Sequence, residues 1–140
     1  MNGDIYTQIA AELKRLGGID EIGVVSAAGQ SAIIYAGNKG IKKYYDGSKI
    51  QSVIFSVSAM DTNNRQSALV EKLCVICETL AASKPVIEGI SQVKVKVNSL
   101  PAPTMHNEQY WIYTAGIEIT FFMVILYYQK REMSMIANYH

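Results

Sequence analysis

The stretch Tyr44-Tyr45-Asp46-Gly47-Ser48-Lys49 runs into Val53-Ile54-Phe55-Ser56-Val57-Ser58-Ala59, then Asp61-Thr62-Asn63-Asn64-Arg65-Gln66, then a helical pattern ending near Leu80. It reads as a turn, a strand and a helix in direct succession. Asp46-Gly47 suits a tight hairpin, because both of its central positions can take positive φ. Val53, Phe55, Val57 and Ala59 fall on one face of the strand; Ser52, Ser56 and Ser58 fall on the other with Ile54. That alternation predicts a half-buried strand. Asp61 or Thr62 is placed to cap the helix, and Leu69, Leu73, Ile76, Cys77 and Leu80 form its apolar stripe. Lys84-Pro85 closes it, since the residue before a proline resists the helical region.

Upstream, Ile41 to Tyr45 leads into the hairpin, while Asn38-Lys39-Gly40 reads as a break. Gly23-Val24-Val25 and Ala32-Ile33-Ile34-Tyr35 read as short strands separated by Ala28-Gly29-Gln30. Near the start, Ile5, Ile9, Leu13 and Leu16 make one helical stripe, with Asp4 as its cap and Gly17-Gly18 as its end. A helix of this length is marginal alone and must pack on something.

Downstream, Val93, Val95 and Val97 alternate with Lys94 and Lys96, a strand with one wet face. Leu100-Pro101-Ala102-Pro103 reads as an extended break. A long last strand is expected from about Tyr110 to Tyr128, with Gly116 marking a bulge or bend. Ile117, Ile119, Phe121, Met123 and Ile125 line one of its faces. The other begins wet at Glu118 and Thr120, then becomes Phe122, Val124, Leu126 and Tyr128. This second apolar face needs a cover: the first helix, the C-terminal tail, or a neighbouring subunit. Covering three large side chains contributes on the order of 5 kcal/mol. Residues 129–140 read as a C-terminal arm or helix. The whole predicts one α+β domain over residues 1–140: a mixed, mainly antiparallel sheet packed by two helices, with a long hairpin.

The totals exclude several classes. The 140 residues suffice for one domain with a core of its own, at 49% hydrophobic and 18% charged. A net charge of +1 gives no global electrostatic reason to expect nucleic acid or membrane. Two cysteines are no disulfide framework for this length. Met1-Asn2-Gly3-Asp4-Ile5 carries no signal-peptide pattern. The longest apolar run, Phe121 to Tyr128, falls far short of the roughly 20 residues a membrane helix needs. An intracellular, reduced, soluble protein is expected. Nine tyrosines against one tryptophan and three phenylalanines lean toward assembly.

No catalytic, metal or cofactor site is expected. Cys74 and Cys77 have redox-motif spacing, but they lie about three turns into the helix, away from the N-terminal dipole that lowers a thiol pKa. Core packing explains them. A zinc site would need further ligands, and only His106 and His140 offer nitrogen. His106 stands in a loop-like context without a nucleophile nearby and is expected to be solvated. Asp20-Glu21 reads as a polar turn, and Gly37-Asn38-Lys39-Gly40 lacks the length and ending of a phosphate-binding loop. Lys39, Lys42, Lys43 and Lys49 surround Tyr44 and Tyr45. Such a loop can touch phosphates or stack on bases; its plainer role is a solvated tip whose lysines protect an edge strand.

With the elements placed, the chain resembles the small phage proteins called tail terminators, tail completion proteins or minor capsid proteins. The resemblance lies in Tyr45-Asp46-Gly47-Ser48, in Val53-Ile54-Phe55-Ser56-Val57, and in the Asn/Arg/Gln-led helix from Asn63 to Leu80. Further matches are the Leu100-Pro101 break, Trp111-Ile112-Tyr113 ahead of Phe121-Phe122, and the opening helix from Asp4 to Leu16. It implies a virion structural protein without enzymatic activity, assembled in the bacterial cytoplasm into a ring, commonly a hexamer. The ring would cap the head-proximal end of a tail tube, ending its polymerisation and presenting a surface for the head. The partners implied are the tube protein and a head connector or completion protein, with DNA passing only transiently through the lumen and no membrane. Related contractile bacteriocin particles use similar parts, so the resemblance extends to a particle without a head. On this view Phe122, Val124, Leu126 and Tyr128 form a subunit contact. Tyr44, Tyr45, Asp46 and Ser48 reach the tube or a neighbour, and Lys42 and Lys43 face the lumen. The alternatives are another head–tail connector or a tube subunit and, from a different class, a small enzyme or ligand-binding domain.

Overall fold

A computed structural model describes residues 4–124 of the chain. The elements run α1 (Asp4–Gly17), β1 (Glu21–Ile22), β2 (Ser31–Lys43), β3 (Lys49–Thr62), a 3-10 turn (Asn63–Arg65), α2 (Gln66–Ala82), β4 (Ser91–His106) and β5 (Tyr110–Met123). The strands form one sheet in the order β1-β2-β3-β5-β4. β1 lies parallel to β2 and the other pairs are antiparallel, so this is the α+β fold with a mixed, mainly antiparallel sheet. The long β2–β3 hairpin and two helices are present as expected. No helix among the described residues is long and apolar enough to cross a membrane.

The alternation in β3 places the core. Val53, Phe55, Val57 and Ala59 are fully buried, joined across the register by Ile117, Ile119 and Phe121 of β5 and Ile33 of β2. Leu69, Leu73, Ile76, Cys77 and Leu80 of α2 and Ile9 and Leu13 of α1 complete one cluster against this face. Both helices therefore cover the same side of the sheet. The other side carries Ser52, Ser56, Ser58, Thr114 and Thr120, and two hydroxyl pairs cross the strands there, at 2.9 Å (Ser52–Thr120) and 3.0 Å (Ser58–Thr114). A half-wet antiparallel sheet is stable in this form.

Several local expectations are corrected. Gly23-Val24-Val25 is not a strand, and Val24 is largely exposed. Asn38-Lys39-Gly40 does not break the chain: it lies inside β2, where register shifts between Tyr35 and Gly37 and between Asn38 and Gly40 absorb it as bulges. Leu100-Pro101-Ala102-Pro103 likewise belongs to β4. That is an edge strand, where a proline has no ladder bond to lose on its outer side. Gly116 does not split β5. The irregularities lie opposite it on β4, and a Cβ at Gly116 would stand 2.6 Å from Ser99 Oγ, so the glycine admits the bulged neighbour. Neither Asp61 nor Thr62 caps α2: Asp61 is still in β3, the 3-10 turn intervenes, and no side chain caps either helical start. Asp61 instead pairs with Arg65 at 3.3 Å.

The hairpin turn also differs in detail. Gly47 N–H donates to the Tyr44 carbonyl at 3.0 Å and Tyr44 N–H to the Ser48 carbonyl at 2.9 Å. Of the pair Asp46-Gly47, only Gly47 has positive φ, at 88°. This is a three-residue loop in which glycine takes the left-handed position. Replacing Gly47 by alanine is expected to lower stability by about 1 kcal/mol, the cost of a Cβ in that region. Paired urea melts of the two proteins measure it.

Candidate interaction surface

The register gathers the described candidate residues at one end of the sheet. Lys42 is paired with Ile50, and Ile50 with Phe122; the next row is Lys43, Lys49 and Met123. The turn caps these rows, with Tyr45 wholly exposed, Tyr44 41% exposed and Asp46 exposed. Phe122 is half-buried on the face opposite both helices, and Val124 is 40% exposed just beyond β5. Leu126 and Tyr128 lie outside the described residues. Because α1 is packed on the other side of the sheet, it is removed from the possible covers of Phe122. The expectation that β5 begins with a wet second face is also corrected at Glu118, which is buried.

Ser48 is the candidate that the geometry changes. It is buried at 3% exposure and cannot reach a neighbour. Its N–H and Oγ–H donate to Asp46 Oδ1 at 3.0 and 2.6 Å. These two bonds hold the Asp46 carboxyl below its ordinary range. Ser48 and Asp46 thus shape the loop, and Tyr44 and Tyr45 are what it presents. Lys42 Nζ stands 5.7 Å from the centroid of the Tyr44 ring, within cation–π reach.

Sequence reasoning missed the centre of the open face. Glu118 lies in mid-strand, with its side chain 7% exposed. Lys39 Nζ donates to its Oε1 at 2.6 Å from the bulged β2, and Lys96 Nζ approaches to 3.8 Å from β4. The hydrogen bond from Lys39, reinforced by the charges of both lysines, holds the Glu118 carboxyl below the usual range despite its burial. Its one sequence signal is a carboxylate between Ile117 and Ile119. A second buried polar residue, Gln51, donates through Nε2 to the Tyr6 hydroxyl and to Asn38 Oδ1.

The residues weighed for chemistry fall elsewhere. His106 is not in a loop; it ends β4 and stacks on Trp111, with centroids 4.0 Å apart and planes 24° apart. Cys77 is buried and Cys74 half-buried on α2. Desolvation, then the neighbouring Cys74 and Glu78, push the Cys77 thiol up to about 11. Near pH 7 a maleimide is expected to label Cys74 readily and Cys77 only as the protein unfolds; peptide mass mapping reads the order. A surface depression of about 370 Å³ beside α1 is bordered by Glu12, Arg15, Val86 and Glu88. Its Arg15 donates to both oxygens of Glu12, at 3.1 and 2.7 Å. Among the described residues no three His, Cys, Asp or Glu side chains form a metal-binding group. Comparison with protein-family models and with curated proteins finds no match for the chain.

Proposed function

We propose that this protein is a virion structural component that closes into a ring at the head-proximal end of a phage or phage-like tail tube. The ring ends tube growth and offers a joining surface to the head. The observation that carries this reading is the apolar end of β5 at Phe122 and Val124. Phe122 is half-buried on the face that neither helix covers, and Val124 just beyond it is exposed. A heterologous contact through such an edge repeats from subunit to subunit and closes when its rotation divides the circle. One rim of the closed ring then meets the last tube layer while the other differs from it, so addition stops. Cytoplasmic assembly in a bacterial host and a final place in the virion belong to the same proposal.

Light scattering of the purified chain over a range of concentrations tests it. A discrete ring-sized mass is the expected result, and Val124→Glu, which charges an exposed position, is expected to shift it to monomer. Open-ended polymers growing with concentration would instead indicate a tube subunit. A monomer both alone and in the presence of tube protein would overturn the ring.

A further inference from the structure

The hairpin tip departs from a rule of sheet pairing. Lys43 and Lys49 are Cα partners in the last rung before the turn. Like charges directly opposite each other on antiparallel strands are destabilising. Among the described residues neither ammonium lies in a salt bridge, whereas Lys39 and Lys96 both lie beside Glu118. Lys42 adds a third cation one residue away, on the strand face opposite Lys43. Asp46, the only acidic residue from 39 to 50, has one oxygen engaged by Ser48. A polyanion running past the tip would turn the Lys43–Lys49 repulsion into a shared attraction. Tyr45 projects fully into solvent among these cations. An exposed ring among cations suits an unpaired base, because every base has a π-face to stack.

We propose that the β2–β3 tip is a nucleic-acid contact, with Lys42, Lys43 and Lys49 along the phosphodiester backbone and Tyr45 stacked on an unpaired base. The net charge of +1 keeps the contact local, weak and salt-sensitive. The inference rests on the charges and register of the hairpin alone, so it stands or falls separately from the ring.

The test is fluorescence anisotropy of the full chain with a labelled 20-nucleotide single-stranded DNA, titrated at salt concentrations from about 50 to 200 mM. Three phosphate contacts predict a slope of log K against log salt of roughly −2. Lys42→Glu, Lys43→Glu and Lys49→Glu combined are expected to lower affinity by at least about tenfold, and Tyr45→Ala alone by roughly fivefold or more. Lys43→Glu by itself separates binding from folding. It converts the like-charge rung into an opposite-charge one, so Tm should hold or rise while affinity falls. Binding that the triple variant leaves intact would overturn the proposal. So would an absence of salt-dependent binding at 50 mM, or binding of poly-glutamate as tight as that of the DNA.

Discussion

Phe55→Ala is expected to destabilise the protein by about 3–5 kcal/mol, the range for emptying a large aromatic site in a core. Phe55 is fully buried at the middle of β3, the strand with a neighbour on each side over most of its length. It is paired with Tyr35 on one side and Ile117 on the other. Its ring meets Tyr35 edge-on at 5.7 Å, and Tyr35 stacks on Tyr6 of α1 at 4.4 Å. Truncation therefore removes packing from the sheet and undercuts the aromatic stack that seats α1. The neighbouring Ser56 lies on the open face opposite Gly116, and Ser56→Ala should stay within about 0.5 kcal/mol. Thermal melts of the two variants give the contrast: a fall in Tm of roughly 10–20 °C for Phe55→Ala and little change for Ser56→Ala. Similar losses at the two sites would mean that the helices do not cover the face assigned to them.

Lys39→Met is expected to cost about 1–3 kcal/mol near pH 7, because it leaves the buried Glu118 carboxylate without its closest partner. Two features limit the loss. Lys39 is itself half exposed, and Lys96 stays 3.8 Å from Glu118. The pH dependence has a definite sign. The Glu118 carboxyl is held below its ordinary value of 4.5 in the folded protein. Its contribution is therefore complete above that value and disappears as pH falls through the lower folded one. In Lys39→Met the folded value rises, so the stability gap between the two proteins should be widest near neutrality and narrow toward pH 3. Urea melts at pH 7 and pH 3 check this. A gap independent of pH would assign Lys39 a packing role through its stem instead of a charge role.

Much of the architecture was legible because it is written in local periodicity. The period of two through Val53, Phe55, Val57 and Ala59 and the helical spacing of Leu69, Leu73, Ile76, Cys77 and Leu80 each name a buried face without reference to the rest of the chain. Local signals mislead where the residues concerned normally mark a break. Asn38-Lys39-Gly40 and Leu100-Pro101-Ala102-Pro103 both continue as strand, because a neighbouring strand supplies the pairing and a bulge absorbs the misfit. Asp61 has the residue type that favours a cap. Pairing with β5 as far as Thr62 extended the strand through it.

The sequence by itself determined the fold class, the core faces of β3 and α2, and the exposed aromatic turn at Tyr44 and Tyr45. Those follow from residue spacing and turn chemistry acting over a few positions. Only the tertiary structure decided that α1 and α2 share one side of the sheet and leave Phe122 on the other. It alone set Lys43 against Lys49, and brought Lys39 to Glu118 across 79 residues of chain. The reason is physical: strand register and bulge position arise between strands, and a shift of one residue reverses which face every side chain occupies.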